Sequence, residues 1–243
     1  MKKTILTIFF AATLFAANAQ EAKTMYVMKN GEVAYQSVVS EIDSIIFYEP
    51  NLTNDPLTYD EGVVINGIKW ATRNVDAFGK FAAKPEDPGK FYQWNRKTAW
   101  SATEPGKDVA IGEAGGWDDT IPAGTTWEPA NDPSPAGWRV PTREEQQKLF
   151  DGSKVKNEWT KINGVFGRKF TDLANEDNFI FLPAFGCRGS LDGTLYGAGE
   201  YGYYWSSTQN SSSSAHCLDF NEWYADWSIN YSSFGLSVRA VAE

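Results

Sequence analysis

The sequence predicts an α+β fold, with one or two helices and long loops beside a meander of short antiparallel strands. The helix is indicated by a capping box, in which Thr142 is followed three residues later by Glu145, with Leu149 and Phe150 as buried positions. Short apolar runs separated by Gly and Ser indicate strands at 179–182, 202–206, 215–220 and 236–241. A helix segregated from such a meander is the pattern of an α+β domain.

Residues 1–19 predict a signal peptide. Two lysines precede an apolar stretch at 5–17, and the segment closes on the small-x-small pattern Ala17-Asn18-Ala19. The stretch is shorter than the roughly 20 residues that a membrane span needs, which argues against a membrane anchor. We therefore expect a mature chain that starts at Gln20, has no transmembrane segment, and is exported to the cell surface, the outer membrane or the extracellular medium.

The rest of the chain divides into three parts. Residues 20–49 predict a small N-terminal β unit, because two strand-like runs flank Asn30-Gly31, a strong hairpin signal, and a further apolar run follows at 42–48. A unit of this size buries little core by itself, so we expect it to dock or to act as a spacer. Residues 50–62 are polar and contain Pro and Asn, which predicts a linker. Residues 63–243 form the main domain.

Within the main domain, the apolar run at 63–70 is interrupted by Asn66-Gly67 and predicts a second hairpin. Residues 91–94 are mostly aromatic and predict a short strand. Residues 101–135 are rich in Gly, Pro, Asp and Thr and predict a long irregular loop. Loops of that length inside a compact domain are usually functional.

The composition argues against some partners. The 22 basic and 31 acidic residues give a formal net charge of −9 at pH 7, and removal of the basic signal segment makes the mature chain more negative. Such a field repels nucleic acid and anionic lipid. The chain also carries 10 Trp, 11 Tyr and 15 Phe, and we expect part of this aromatic area to line a binding surface. The alternative is an aromatic-rich core.

Cys187 and Cys217 are the two cysteines of the chain. In an oxidising compartment an even pair predicts a disulfide, here closing a loop of about 30 residues, and two separate buried thiols are the alternative. No residue pattern predicts a metal site, a cofactor or a catalytic centre. Asp118-Asp119 lacks the spaced acidic ligands of a calcium loop and is expected to be a solvated acidic loop. The sole histidine, His216, lacks a supporting acid.

Several segments of the main domain carry a resemblance to a known family. In chain order they are 70–75 (WATRNV), 89–95 (GKFYQWN), 131–142 (NDPSPAGWRVPT), 182–188 (LPAFGCR), 202–207 (GYYWSS) and 237–241 (SVRAV). Together they resemble the Fibrobacter succinogenes major paralogous domain, which is common in exported proteins of Bacteroidetes-type bacteria. The resemblance covers nearly all of 63–243, and the N-terminal unit is similar to a short leader segment of such surface proteins. Ser134 stands where many members carry cysteine, so the family pattern leaves Cys187 and Cys217 to each other.

The resemblance implies a C-type-lectin-like fold of short twisted antiparallel strands, in which a rigid scaffold that includes Trp205, Val238 and Arg239 carries a variable binding face. The segment 209–234 fits such a face, because it consists largely of Ser, Asn, Tyr, Trp and Asp, which are typical of binding loops. An ordinary polar hairpin is the alternative. The predicted ligand-binding residues are four aromatic residues for stacking and three polar residues for hydrogen bonding: Trp223, Tyr224, Trp227, Tyr231, Asn221, Asp226 and Asn230. We expect Arg239 to bind backbone carbonyls or a carboxylate.

We therefore predict an exported, non-catalytic cell-surface protein, an adhesin-like or carbohydrate- or protein-recognition module. It binds an unidentified glycan or protein on a host or neighbouring cell through 209–234. Two alternatives stay open: an accessory or catalytic component of a secreted polysaccharide-degrading system, and a structural surface subunit. Product formation separates catalysis from binding, and self-assembly identifies a structural subunit.

Overall fold

A computed structural model describes residues 8–9, 24–29, 32–38, 56–103, 116–122 and 124–243. The chain divides into two compact units, Met1–Thr53 and Asn54–Glu243. The second unit starts inside the predicted linker 50–62, and its first described residues already make tertiary contacts. Asp60 is buried and forms an ion pair with Arg73 at 3.1 Å. The main-chain oxygen of Leu57 accepts a hydrogen bond from the amide of Phe81.

The first unit contains one antiparallel sheet of three strands, β1 (Ile8–Phe9), β2 (Thr24–Lys29) and β3 (Glu32–Val38), in that order. β2 and β3 form the predicted N-terminal hairpin, with Tyr26 opposite Gln36. β1 belongs to the predicted signal peptide and pairs with β2. The turn at Asn30-Gly31, the predicted cleavage site and the apolar run at 42–48 lie outside the described residues.

The described part of the second unit forms four sheets. The largest contains β16 (Ala225–Tyr231), β15 (Ser214–Phe220), β14 (Gly202–Ser211), β17 (Leu236–Ser237), β6 (Lys90–Tyr92) and β7 (Trp100–Ser101), in that spatial order. A second contains β4 (Val63–Ile65), β5 (Ile68–Trp70), β18 (Val241–Ala242) and β8 (Trp138–Arg139). A third contains β11 (Phe179–Pro183), β10 (Val165–Asp172) and β9 (Val155–Ile162), and the smallest contains β12 (Cys187–Arg188) and β13 (Leu195–Tyr196).

The fold is β-rich, so the predicted α+β class is wrong. Across the described ranges the only α-helix is α1 (Arg143–Gln147), which has five residues and continues into a 3-10 turn at Lys148–Phe150. The capping box that predicted it is present, since Glu145 N donates to Thr142 Oγ1 at 3.2 Å and Thr142 N donates to Glu145 Oε2 at 2.8 Å. After the 3-10 turn the chain continues into β9 and β10, two eight-residue strands that were not predicted. The β-rich architecture also contradicts the fold that the resemblance implies, a C-type-lectin-like domain of short twisted antiparallel strands with one or two helices and long loops.

Two of the hairpins of the second unit turn at Asn-Gly. Asn66-Gly67 joins β4 to β5 as predicted, with φ values of 46° and 78°. Asn163-Gly164 joins β9 to β10 in the same way, with φ values of 48° and 90°. Positive φ at both central positions is the turn geometry whose twist matches that of antiparallel strands, and Asn-Gly adopts it most readily.

The predicted scaffold residues Trp205, Val238 and Arg239 are buried in the core of the second unit. Trp205 is fully buried in one of the two large clusters of apolar side chains. Arg239 is 1% exposed and donates hydrogen bonds to Asn74 Oδ1 and to the main-chain oxygens of Ala71 and Phe181. Its partners are therefore carbonyl oxygens of the backbone and of a side-chain amide.

Candidate functional site

The predicted binding residues lie at one edge of the six-stranded sheet, on β16 and on the turn before it. Successive side chains of a strand point to opposite faces of the sheet. Trp227 and Tyr231 therefore share one face of β16, and Asp226 and Asn230 share the other. The remaining three, Asn221, Trp223 and Tyr224, belong to the turn between β15 and β16. The structure thus distributes the seven residues over three environments.

The turn is built around Asn221. Its Oδ1 accepts hydrogen bonds from the amides of Trp223 at 2.8 Å and Tyr224 at 3.1 Å, and its own amide donates to the oxygen of Tyr224 at 3.0 Å. Asn221 itself is 8% exposed, whereas the side chain of Trp223 is 83% exposed. A buried amide therefore fixes a turn whose tip presents a large aromatic side chain to solvent.

Arg168 on β10 ties this turn to the neighbouring hairpin. Its guanidinium donates to the main-chain oxygens of Asn221, at 2.8 Å, and Tyr224, and to Asn157 Oδ1 at 3.0 Å. Arg168 is 8% exposed, and burial lowers its pKa from the ordinary arginine value. The bonds from a positive group to buried carbonyls are of the stronger, charge-assisted kind.

The face of the β9–β10 hairpin that carries Arg168 also carries an aromatic platform, formed by Trp159 and Phe166. Trp159 lies opposite Arg168, and Phe166 lies opposite Lys161, so Trp159 and Phe166 are diagonal neighbours on one face. Their rings stack at a centroid distance of 5.7 Å and an interplanar angle of 10°. Phe166 is 43% exposed, and Lys161 Nζ lies 4.6 Å from the centre of its ring.

The turn and the platform enclose an open groove of about 350 Å³. A third segment, residues 199–201 just before β14, also lines this groove. The Tyr201 ring stacks on the Tyr203 ring at a centroid distance of 6.1 Å. We call this space the aromatic groove. The residues that line it are Trp159, Phe166, Gly199, Glu200, Tyr201, Asn221, Glu222 and Trp223. It therefore combines four aromatic side chains with two carboxylates and one amide.

Two of the seven predicted residues, Asn221 and Trp223, line the aromatic groove. Tyr224 instead donates from its hydroxyl to Asp219 Oδ1 at 3.0 Å. Asp219 lies directly opposite Asp226 on the next strand. Burial raises the pKa of Asp219, and the nearby carboxylate of Asp226 raises it further, although the Tyr224 hydrogen bond acts in the opposite direction.

Trp227 and Tyr231 lie on the other face of β16. The Arg143 guanidinium lies 4.3 Å from the centre of the Trp227 ring, and His216 makes an edge contact with the same ring at 6.0 Å. Trp227 is therefore partly covered by α1 and β15, and it is 42% exposed. Tyr231 is 62% exposed, at the end of the strand farthest from the aromatic groove.

Both cysteines are free thiols in the structure, so the predicted disulfide is absent from it. Cys187 and Cys217 are buried in the same apolar cluster, and burial raises the pKa of each to about 12. The Cys217 sulfur is engaged by Asn230, whose side-chain amide donates to it at 3.3 Å. Asn230 thus has a structural partner inside the sheet.

Six of the residues that line the aromatic groove were not predicted as binding residues: Trp159, Phe166, Gly199, Glu200, Tyr201 and Glu222. A signal existed for the first two, because Asn163-Gly164 between alternating residues is a hairpin pattern that places them on one face. No local pattern marks Glu200 or Tyr201, since they join the groove only through the tertiary fold.

The described residues contain no group of three or more His, Cys, Asp or Glu side chains placed to hold a metal ion. The Asp118 carboxylate forms an ion pair with Arg96 and accepts hydrogen bonds from Thr120. In the same described ranges, no helix has the length and apolar character needed to cross a membrane.

Comparison with known proteins gives one finding. Residues 154–241 match a family model described as a domain of unknown function (DUF8237), which spans the segment from β9 to β18. All the residues that line the aromatic groove fall within this match. No curated protein and no solved structure matches the chain.

Proposed function

We propose that the protein is an exported, non-catalytic cell-surface protein that binds a glycan or protein ligand through the aromatic groove. The main support for this proposal is the exposure of Trp223. Its side chain is 83% exposed, and the buried side chains of Asn221 and Arg168 fix the turn that carries it. Because the backbone of the turn is already fixed, ligand binding has to order only the Trp223 side chain, and aromatic anchors dominate the energetics of recognition surfaces.

The proposed binding site overlaps the predicted face at 209–234 only in part, and its centre lies in the aromatic groove. Trp223 and Asn221 stay in the binding site, and the hairpin β9–β10 joins it through Trp159 and Phe166. The position of Tyr231 at the far end of β16 makes it a peripheral residue in this proposal. The resemblance to the Fibrobacter succinogenes major paralogous domain is compatible with a surface-binding role and stays a prediction.

The test is a glycan-array and host-protein binding screen with the full chain and three variants. We expect a saturable hit whose affinity falls at least 10-fold in Trp223→Ala and changes little in Leu191→Ala. Leu191 is a matched control, because it is 82% exposed and lies outside the aromatic groove. Tyr231→Ala separates the two candidate surfaces. A hit that is lost in Tyr231→Ala and retained in Trp223→Ala would place the site on β16 and contradict the proposal.

A second candidate function rests on Glu200 and Glu222. Both carboxylates line the aromatic groove, and a pair of carboxylates flanking a sugar is the usual arrangement for glycoside hydrolysis. Each polysaccharide that binds is therefore incubated with the protein and assayed for new reducing ends. Product formation that disappears in both Glu200→Gln and Glu222→Gln would favour the catalytic alternative over the binding proposal.

A further inference from the structure

The aromatic groove carries unbalanced negative charge. Glu200 and Glu222 line it, and neither side chain forms a hydrogen bond or ion pair with another described residue. None of the lining residues is basic. On the hairpin that carries the platform, Arg168 is buried against main-chain oxygens, and the Lys161 ammonium lies over the Phe166 ring and is not a lining group. An anionic ligand would therefore meet two carboxylates with no compensating positive group in the groove.

The groove also offers one hydrogen-bond donor that lacks a protein acceptor. Asn221 uses its Oδ1 for two main-chain amides, while its Nδ2 has no hydrogen-bond partner among the described residues. The residue is more than nine-tenths buried and lines the groove. The Nδ2 atom itself is open to solvent, so a ligand that supplies an acceptor here would replace water with a direct hydrogen bond.

The ligand must then supply both kinds of polar group. Two carboxylates need donors, and the Asn221 amide needs an acceptor. A hydroxyl group is both donor and acceptor, so neighbouring hydroxyls meet both needs. An ammonium group supplies donors only, so it cannot accept the hydrogen bond that the Asn221 amide offers. Aromatic side chains on two sides of the groove provide the apolar surface that the ring face of a sugar covers.

We infer that the aromatic groove binds uncharged glycans and excludes acidic ones, an inference that rests on the proposed binding function. A neutral sugar ring packs between Trp223 and the Trp159–Phe166 platform. Its hydroxyls donate to Glu200 and Glu222 and accept from Asn221. Uronic acids and sulfated sugars are disfavoured by charge repulsion from these two exposed carboxylates.

The experiment is affinity electrophoresis of the full chain in gels that contain chemically matched polysaccharides. Hydroxyethylcellulose is paired with carboxymethylcellulose, dextran with dextran sulfate, and methyl-esterified pectin with its de-esterified form, and chitosan serves as the cationic probe. We expect at least one neutral polymer to retard the protein with at least 10-fold higher affinity than its acidic partner. Retardation by the neutral polymer should persist at 0.5 M NaCl, because no ion pair is involved.

Charge variants test the role of the two carboxylates. The double variant Glu200→Gln, Glu222→Gln should bind the neutral polymer about 10-fold more weakly, because charge-assisted hydrogen bonds are replaced by neutral ones. Its discrimination against the acidic partner should fall by a similar factor. The matched control is Glu61→Gln, Glu176→Gln, which removes two exposed carboxylates outside the groove and should change neither property.

The outcomes separate this inference from the proposed function. Stronger binding of an acidic polymer or of chitosan, or equal effects of the two double variants, would overturn the inference and leave a binding groove intact. A protein ligand that is lost in Trp223→Ala, with no polysaccharide retarding the chain, would do the same. Failure of every ligand to bind would overturn both the inference and the proposed function.

Discussion

Arg168 donates a hydrogen bond to the main-chain oxygen of Asn221 at 2.8 Å, and this bond joins the β9–β10 hairpin to the turn that carries Trp223. A second bond from the same guanidinium reaches the oxygen of Tyr224. One buried side chain therefore fixes the distance between the aromatic platform and the exposed tryptophan. The width of the aromatic groove depends on it.

Replacing Arg168 by methionine should destabilise the protein and weaken ligand binding together. The change fills a similar volume but leaves buried carbonyl oxygens without donors, and we expect the free energy of unfolding to fall by about 3 kcal/mol. Urea denaturation followed by tryptophan fluorescence measures it. Lys156→Met is the control on the same hairpin, because its ion pair with Glu158 is solvent-exposed and contributes less than about 1 kcal/mol. Equal stability of the two variants would contradict the anchoring role of Arg168.

Part of the fold could be predicted from the sequence. Local signals were reliable where a few adjacent residues decide the structure: the Asn66-Gly67 hairpin formed, and so did the capping box at Thr142. The fold class failed because a capping box specifies where a helix begins and carries no information on its length. Here one turn of helix was followed by two long strands.

The candidate site was predictable only in part for a different reason. Trp223 and Asn221 stood out because the composition of 209–234 is unusual, whereas Trp159 and Phe166 are far away in sequence. Trp159 and Phe166 reach the groove because Arg168, on the same hairpin, binds main-chain oxygens of the turn. Every residue has a main-chain oxygen, so this contact does not depend on which side chains the turn carries. Side-chain identities at the turn therefore give no sign of that contact.

The two cysteines should titrate as two free thiols. Cys187 and Cys217 are 6% and 0% exposed, and burial raises the pKa of each to about 12, so little thiolate forms near neutral pH. We expect reaction with Ellman's reagent at pH 8 to be roughly 100-fold slower in the native protein than in urea. Iodoacetamide in urea without reductant should add two groups by mass spectrometry. An unmodified mass that gains two groups only after reduction would show that the disulfide forms in solution.

Asp219→Asn should stabilise the protein at neutral pH. Asp219 and Asp226 are directly opposite on neighbouring strands, where like charges are destabilising, and asparagine can still accept the Tyr224 hydrogen bond. We expect the free energy of unfolding to rise by roughly 0.5–1 kcal/mol at pH 7 in urea denaturation. Asp177→Asn, an exposed carboxylate in the turn before β11, is the control and should have little effect.

The pH dependence of the Asp219 effect follows from its raised pKa. A carboxyl whose pKa is higher in the folded state than in the unfolded state loses its favourable contribution as the pH rises through the folded value. The advantage of Asp219→Asn should therefore be largest at pH 7 and should shrink as the pH falls toward 4. An advantage that stays constant over this range would show that charge repulsion is not its cause.

His216 should make the native state less stable as the pH falls below 7. The ring is 7% exposed, and its Nδ1 has no hydrogen-bond partner. Burial lowers its pKa, and the charge of Arg143 on α1 lowers it further, with Glu144 acting in the opposite direction. The unfolded chain takes up a proton near pH 6.5, where the native ring resists protonation, so lowering the pH stabilises the unfolded state.

The chain has one histidine, which makes this pH dependence separable from that of the carboxylates. Between pH 7.5 and 5.5 the free energy of unfolding should fall by up to about 1.4 kcal/mol in the wild type, the limit set by the unfolded pKa near 6.5. Glu145 and Asp172 have lowered pKa values, so their contributions are lost only in more acidic solution. In His216→Gln the decrease over this range should disappear in urea titrations at pH 7.5, 6.5 and 5.5. A variant that keeps the wild-type slope would show that another group causes it, and Asp219 cannot be that group because its raised pKa gives the opposite sign.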